Sequence, residues 1–324
     1  MNINPETGKI IFSALLVSSV IILYFNYSHV EKTDDVEFNL IQQYLVNNSK
    51  IARSDKPVLW IHNDYKLNDR NWKSFGSRNT NELNKPIVYL TIDSMIKKCD
   101  KSFNICLIDD NSFNNLIPGW NIDLETIPEP NRKNYRQLGF LHLLYVYGGI
   151  HVPSSMLCFN NLIDIFTDNV SNDNFFVTES LPTSVLSNQT QIFPTLKIIG
   201  SMKNNPNILE LLRDLETHYT TSLTNETTFK GSVEKHVHMF ALEGKCNIVP
   251  GKTFGYFDEN NIPISISELM SDAPITLSET TVAIEIPVDE IIENKNRNWM
   301  SKLEIDELPH VNNNIGYLLH KQYC

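Results

Sequence analysis

The stretch Asn131–Asn161, NRKNYRQLGFLHLLYVYGGIHVPSSMLCFNN, allows few folds. From Leu138 to Tyr147 every residue except Gly139 and His142 is apolar or aromatic, and the run is longer than most strands. It therefore predicts a helix beginning near Arg132 and buried nearly all round. Gly148 is placed to stop that helix in the left-handed conformation, and Gly149 lets the chain double back. Ile150–Val152 then reads as a short buried strand closed by Pro153. Ser154 and Ser155 are expected at the carboxyl end of a central strand, where open α/β sheets bind ligands.

The neighbouring segments supply the rest of such a sheet. Pro57–His62, PVLWIH, is an apolar run bounded by turn residues and reads as a first strand. Ile87–Thr91 reads as a second strand, Ile92–Lys98 as a short helix and Asn104–Asp109 as a third strand. Strand, helix and strand at this spacing imply parallel pairing with crossover helices. The third strand ends in Asp109 and Asp110. A carboxylate there can hold a ribose hydroxyl or a base edge, or it can cap the helix expected over Ser112–Ile117. After a loop over Pro118–Pro130 and the organising helix, strands are expected over Asn174–Thr178 and Leu196–Gly200. A helix over Ile208–Tyr219, with Pro206 in its first turn, follows. Farther on, Thr281–Pro287 reads as a strand, Asn298–Leu303 as a helix, and the tail to Cys324 as packed on the core.

With 324 residues and a net charge of -11, the chain can bury a full core, and its charge argues against nucleic acid or an anionic membrane surface as the main partner. Ile10–Phe25 carries no charge, and Asn26 and Tyr27 extend the run to about 18 residues, near the lower limit for a membrane span. Bulky residues follow it where a cleavable signal would end in small ones, which favours an uncleaved anchor over a signal peptide. Lys9 before the run, with Glu31, Asp34, Asp35 and Glu37 after it, puts the carboxyl-terminal bulk on the lumenal side. The expected organisation is a cytosolic tail (1–9), an anchor (10–27), a stem (28–55) and a domain (56–324). Among the cysteines, Cys99 and Cys106 flank a short turn and either bridge in an oxidising lumen or stay as buried thiols. His236 and His238 would face one way on a strand and share a metal, or diverge on a helix as ordinary packing residues. No P-loop, Gly-x-Ser-x-Gly or His-Glu-x-x-His is present in the sequence, which sets aside the common NTPase, hydrolase and metalloprotease classes.

The hydrophobic helix, Tyr147-Gly148-Gly149-Ile150, the short strand and its polar exit resemble the core of the Asp-x-Asp sugar transferases, including the family 32 glycosyltransferases and the capsular polysaccharide synthesis proteins. Trp72-Lys73-Ser74-Phe75, Asp109-Asp110 and Lys203-Asn204-Asn205-Pro206 are further points of similarity, and on the resemblance Asn160–Phe166 is expected to be the leucine-rich helix that follows the family's metal motif. The resemblance implies an α/β fold of the glycosyltransferase A type, a nucleotide-diphospho-sugar transferase with a mixed, mostly parallel sheet behind an N-terminal transmembrane helix. The chain departs from the pattern where the chemistry lies. The family's upstream Asp and Arg fall on Gln137 and Phe140, and its two metal-binding carboxylates fall on Pro153 and Ser155.

On this resemblance the candidate catalytic residues are Arg136, His151 and Ser155, and the candidate donor-binding residues are His62, Asp109, Asp110, Gly148, Gly149 and Ser154. No metal ligand is assigned. Mn²⁺ or Mg²⁺ would need ligands outside the degenerate motif, with Asp109, Asp110 or Asp164 the nearest candidates, because hard cations depend on anionic oxygens. Without metal, Arg132, Lys133, Arg136 or His151 would supply positive charge to the leaving group. The implied partners are a nucleotide sugar, a glycan or protein acceptor, and the membrane. The alternative is a catalytically inactive relative that binds a sugar, a glycan or a protein.

Overall fold

The computed structural model describes residues 55–63, 86–129, 131–181, 194–221 and 231–324. These fall within one unit, Ser54–Cys324. The expected anchor, the stem up to residue 54 and Trp72–Phe75 lie outside the described residues. Among the described residues no helix is long and apolar enough to cross a membrane.

The apolar run ending in His62 forms β1 (Val58–His62). Next comes α1 (Pro86–Cys99), a single helix where a strand followed by a short helix was expected. Ile87–Thr91 alone has strand-like composition. Continued through Ile92, Ser94, Met95 and Cys99, its buried positions follow helical spacing, and Pro86 suits a first turn. Then come β2 (Asn104–Ile108), α2 (Ser112–Leu116) and α3 (Asn131–Tyr147). The last is the organising helix. It buries Leu138, Gly139, Leu141, Leu143 and Leu144 but leaves Phe140, His142 and Tyr145–Tyr147 partly exposed, so it is not buried all round.

Gly148 stops α3 with φ 71°, its N–H reaching the Leu144 carbonyl at 2.9 Å, and Gly149 follows at φ 102°. Space as well as dihedral demands glycine here: a Cβ on Gly149 would stand 2.1 Å from the Val58 carbonyl oxygen, and one on Gly148 would stand 2.6 Å from the Lys203 nitrogen. The chain thus turns directly into β3 (Gly149–Pro153).

A tight turn at Ser154-Ser155 leads to β4 (Met156–Cys158), and α4 (Ile163–Asn169) follows. The helix expected over Asn160–Phe166 therefore starts later, since the chain first pairs as a strand and Asn161 then receives the Ile163 N–H on its side chain. The order continues with β5 (Phe175–Glu179), β6 (Pro194–Ser201), α5 (Pro206–Thr221), α6 (Ser232–Leu242), β7 (Cys246–Val249), α7 (Ile266–Leu269), β8 (Ala283–Glu285), α8 (Val288–Glu293) and α9 (Asn314–Tyr323). The expected strand Thr281–Pro287 shrinks to β8, and the helix expected over Asn298–Leu303 is a short 3-10 turn, Met300–Lys302.

The described residues form a six-stranded sheet in the order β2-β1-β3-β6-β5-β7, in which β6 runs against the other strands. A second, two-stranded sheet pairs β4 with β8 antiparallel. The protein is thus α/β with a mixed, mostly parallel sheet. Leu59, Ile61, Ile150, Val152, Phe176 and Ile198 of the central strands are buried in its core. α9 buries Ile315, Leu318 and Leu319, and the Tyr323 hydroxyl donates to the Leu90 carbonyl, so the tail packs on α1.

Candidate functional site

Parallel pairing brings three strand ends together. His62, the last residue of β1, is in register with Ile108 of β2 on one side and with Pro153 of β3 on the other. The residues that follow, Asp109-Asp110 and Ser154-Ser155, therefore leave the sheet side by side at its carboxyl edge. Residues more than forty positions apart in sequence meet there because of the strand order.

Asp110 is the hub. Arg136 of α3 grips it with two bonds, Nε to Oδ1 at 2.7 Å and Nη2 to Oδ2 at 2.6 Å, while the His62 Nε2 lies 2.8 Å from Oδ1. All three side chains are at most 15 % exposed. Burial by itself would raise the Asp110 carboxyl, but hydrogen bonds from Arg136 and His62 outweigh it and hold the group well below the usual carboxylate range. Asp110 is accordingly an anion with its charge spent locally.

An aromatic layer supports this cluster. The His62 ring stacks on Phe113 with centroids 6.1 Å apart and takes Phe140 edge-on at 5.4 Å. Phe140 lies against His151 at 3.8 Å. His151 is buried and its Nδ1 has no partner among the described residues. Burial pushes its pKa down to about 3, and the neighbouring His62 pushes the same way. His151 is therefore neutral at ordinary pH. Supplying positive charge to a leaving group would require His151 to be protonated, which this burial opposes.

The remaining candidates divide clearly. Asp109 caps its own turn, with Oδ1 accepting from the Ser112 N–H at 2.9 Å and from the Ser112 hydroxyl at 2.6 Å. The Ser154 carbonyl accepts from the Thr91 hydroxyl at 2.6 Å, and the Ser155 carbonyl accepts from the Ile286 N–H at 3.0 Å, so this exit turn is tied to α1 and to the segment after β8. Both serine residues are partly exposed. Gly148 receives the Trp60 indole N–H on its carbonyl at 2.9 Å, which locks β1 to the helix stop.

Arg132 lies one helical turn before Arg136, donating to the Ile127 carbonyl at 2.9 Å and the Glu125 carbonyl at 3.3 Å. Lys133 is exposed, and Gln137 accepts from the Tyr219 hydroxyl. Asp164 stands elsewhere. Its helix is tied to the start of β2 by Asn161–Ser102 (2.8 Å) and by the edge of Phe166 on Phe103, at the opposite end of the strand from Asp109 and Asp110.

A divalent cation does not fit this arrangement. Asp110 is consumed by Arg136 and His62, Asp109 by Ser112, and Asp164 is distant. Among the described residues no group of three or more His, Cys, Asp or Glu could hold a metal ion. His236 and His238 lie on α6, where two residues along a helix point to different faces, and His236 instead meets His218 at 5.1 Å. Of the two alternatives for Cys99 and Cys106, the structure shows free thiols, Cys99 buried and Cys106 half-buried.

Sequence reasoning singled out His62, Asp110 and Arg136 separately but not their union, and it gave no role to Phe113 or Phe140. A weak signal existed at Gly139, whose missing Cβ makes room for Phe113, since a Cβ there would be 2.8 Å from that ring.

No family model and no curated protein matches the chain. Solved structures that align with it include the PaToxG glycosyltransferase (13% identity, TM-score 0.37, covering 66% of this chain and 79% of the other). Another is the apo form of the bifunctional glycosyltransferase WbbM (11%, 0.41, covering 83% and 52%). A third is the galactosyltransferase LgtC in complex with donor and acceptor sugar analogues (7%, 0.41, covering 82% and 96%). At these identities and scores the alignments carry no argument about function.

Proposed function

We propose that the chain is a glycosyltransferase-like protein that binds a nucleotide-diphosphate sugar at the carboxyl edge of its parallel strands and transfers the sugar, without an Asp-x-Asp metal, to a glycan or protein acceptor. The observation that carries this reading is the meeting of His62, Asp110 and Arg136 at the ends of β1 and β2, beside the Pro153–Ser155 exit of β3. Such an edge is where α/β sheets of this kind take ligands.

A departing nucleoside diphosphate gains negative charge as the glycosidic bond breaks, and fixed cations stabilise it. Arg136 is held in place by Asp110, while Arg132 bonds to carbonyl oxygens and pairs with no carboxylate among the described residues. Arg132 therefore retains net positive charge for a diphosphate, and Arg136 adds a preorganised fork only so far as the donor competes with Asp110. The hydroxyls of Ser154 and Ser155 are the neutral donors nearest the strand exit. In this reading residues 10–27 anchor the protein in a secretory-pathway membrane with 56–324 lumenal. The basis for that part is the uncharged run and the flanking charges.

A second reading, binding without transfer, is favoured by one specific observation: the two bonds from Arg136 to Asp110 leave that guanidinium largely neutralised, and His151 is neutral as well. The experiment is a thermal-shift panel of UDP- and GDP-sugars on the purified full chain, followed by donor turnover in EDTA. Stabilisation with turnover in EDTA supports transfer, and stabilisation without turnover supports the binding module. If no nucleotide sugar shifts the melting temperature, the transfer reading fails, and the binding reading is left with a glycan or protein ligand.

A further inference from the structure

A second ion pair stands at the same sheet edge, on the other side of β3 from Asp110. β6 runs antiparallel to β3 with Ile199 opposite His151. Continuing that register by two residues brings Lys197 level with Pro153, which is itself opposite His62. Side chains two apart on a strand share a face, so Lys197 lies on the face that carries His151 and His62. It is two strand spacings, about 10 Å, from the end of β1. The Lys197 Nζ donates to Glu285 Oε1 at 3.0 Å and Oε2 at 3.2 Å, and the Tyr256 hydroxyl donates to Oε2 at 2.6 Å. Glu285 belongs to β8, opposite Met156, and the N–H of Ile286 bonds the Ser155 carbonyl, so the carboxylate is fixed beside the β3–β4 turn. Its side chain is 13 % exposed and that of Lys197 55 %. None of the three belongs to the His62–Asp110–Arg136 cluster.

We propose that Lys197 and Glu285 bind hydroxyls of the sugar that the nucleotide diphosphate carries, an inference that rests on the nucleotide-sugar reading. The two charges cancel, so the pair has little pull on a phosphate, yet it keeps hydrogen-bonding capacity. Beyond the bonds among the described residues, one ammonium N–H of Lys197 and one lone-pair position of Glu285 remain. A neutral hexose offers neighbouring hydroxyls that each donate and accept, and a charged partner strengthens either bond. Tyr256, which is buried, and the β4–β8 pairing already hold the carboxylate in place, so binding has only the exposed Lys197 to order. The edge thus divides its work across β3, with Arg132 taking the diphosphate on one side and Lys197 with Glu285 taking the sugar on the other.

The test is calorimetric titration of the full chain, wild type and Lys197→Met, with UDP-glucose, UDP-galactose and GDP-mannose and with bare UDP and GDP. Lys197→Met should weaken the nucleotide sugar that wild type binds by about tenfold, the loss of one charge-assisted hydrogen bond, and leave the bare nucleotide within about twofold. Glu285→Gln should do the same. Lys197→Met should melt within a few degrees of wild type, because an ion pair with so exposed a partner contributes little. Should Glu285→Gln fail to fold, Lys197→Met decides alone. Unchanged affinity for the nucleotide sugar, or an equal loss for the sugar and its bare nucleotide, overturns the inference and leaves nucleotide-sugar binding at this edge standing. If wild type binds none of these compounds, the nucleotide-sugar reading itself falls, and this inference with it.

Discussion

Phe140 lies almost flat on His151, with ring centroids 3.8 Å apart and planes 24° from parallel, and meets the His62 ring at 77°. This packing keeps the His151 ring dry, and its pKa falls to about 3. In the unfolded chain the ring takes up a proton below about pH 6.5. Between those values the unfolded state binds more protons, so His151 makes stability fall as pH falls, by up to ~1.4 kcal/mol per pH unit. Denaturant melts of wild type and His151→Asn across this window should show a flatter slope for the variant. Parallel curves would mean that His151 is protonated in the folded protein.

Asp110 and Arg136 should be far more costly to break singly than together. Arg136→Gln leaves a buried carboxylate held only by His62 and should cost about 3–5 kcal/mol, whereas Arg136→Gln with Asp110→Asn should recover much of that loss. Since the Asp110 carboxyl is depressed in the fold, its stabilisation is present above the unfolded aspartate value of about 4 and is lost as the pH drops below it. Chemical denaturation of the three variants at pH 7 and at low pH measures both effects.

Gly149→Ala should abolish folding, because its Cβ would stand 2.1 Å from the Val58 carbonyl oxygen inside the β1–β3 pairing. Gly244 has a similar positive φ with open space around it, so Gly244→Ala should cost only about 1–2 kcal/mol. Soluble yield and melting temperature separate the two.

Arg132→Gln should leave the melting temperature of the unliganded protein within a few degrees of wild type, since its bonds are to carbonyls at a helix start. It should also weaken binding of a nucleotide-diphosphate sugar by about tenfold, the loss of one charge-assisted contact. Calorimetric titration tests this, and unchanged affinity would remove Arg132 from the donor site.

Protease added to sealed microsomes carrying the full chain should spare residues 56–324. Digestion of that region from the cytosolic side would refute the lumenal placement.

How much of this could be read in advance varied with the range of the interaction. The helix stop at Gly148 and the doubling back at Gly149 were legible because the constraint is local: an apolar run ends in two residues free of a Cβ. Ile87–Thr91 is ambiguous taken alone because four apolar or aromatic residues and a threonine, partly β-branched, satisfy either period, and the decision lies downstream, at Met95 and Cys99. The Asn160–Phe166 helix was placed too early because nothing local announces that Met156–Cys158 will find Ala283–Glu285 as a strand partner.

By itself the sequence determined where α3 must end and that the next residues form a central strand with a polar exit, since glycine stereochemistry and apolar burial act within a few residues. Tertiary structure alone decided that Asp110, Arg136 and His62 would meet and that His151 would be dry and neutral. Hydrogen bonding and desolvation depend on what parallel strand order brings across tens of residues, and no short stretch of sequence encodes that neighbour.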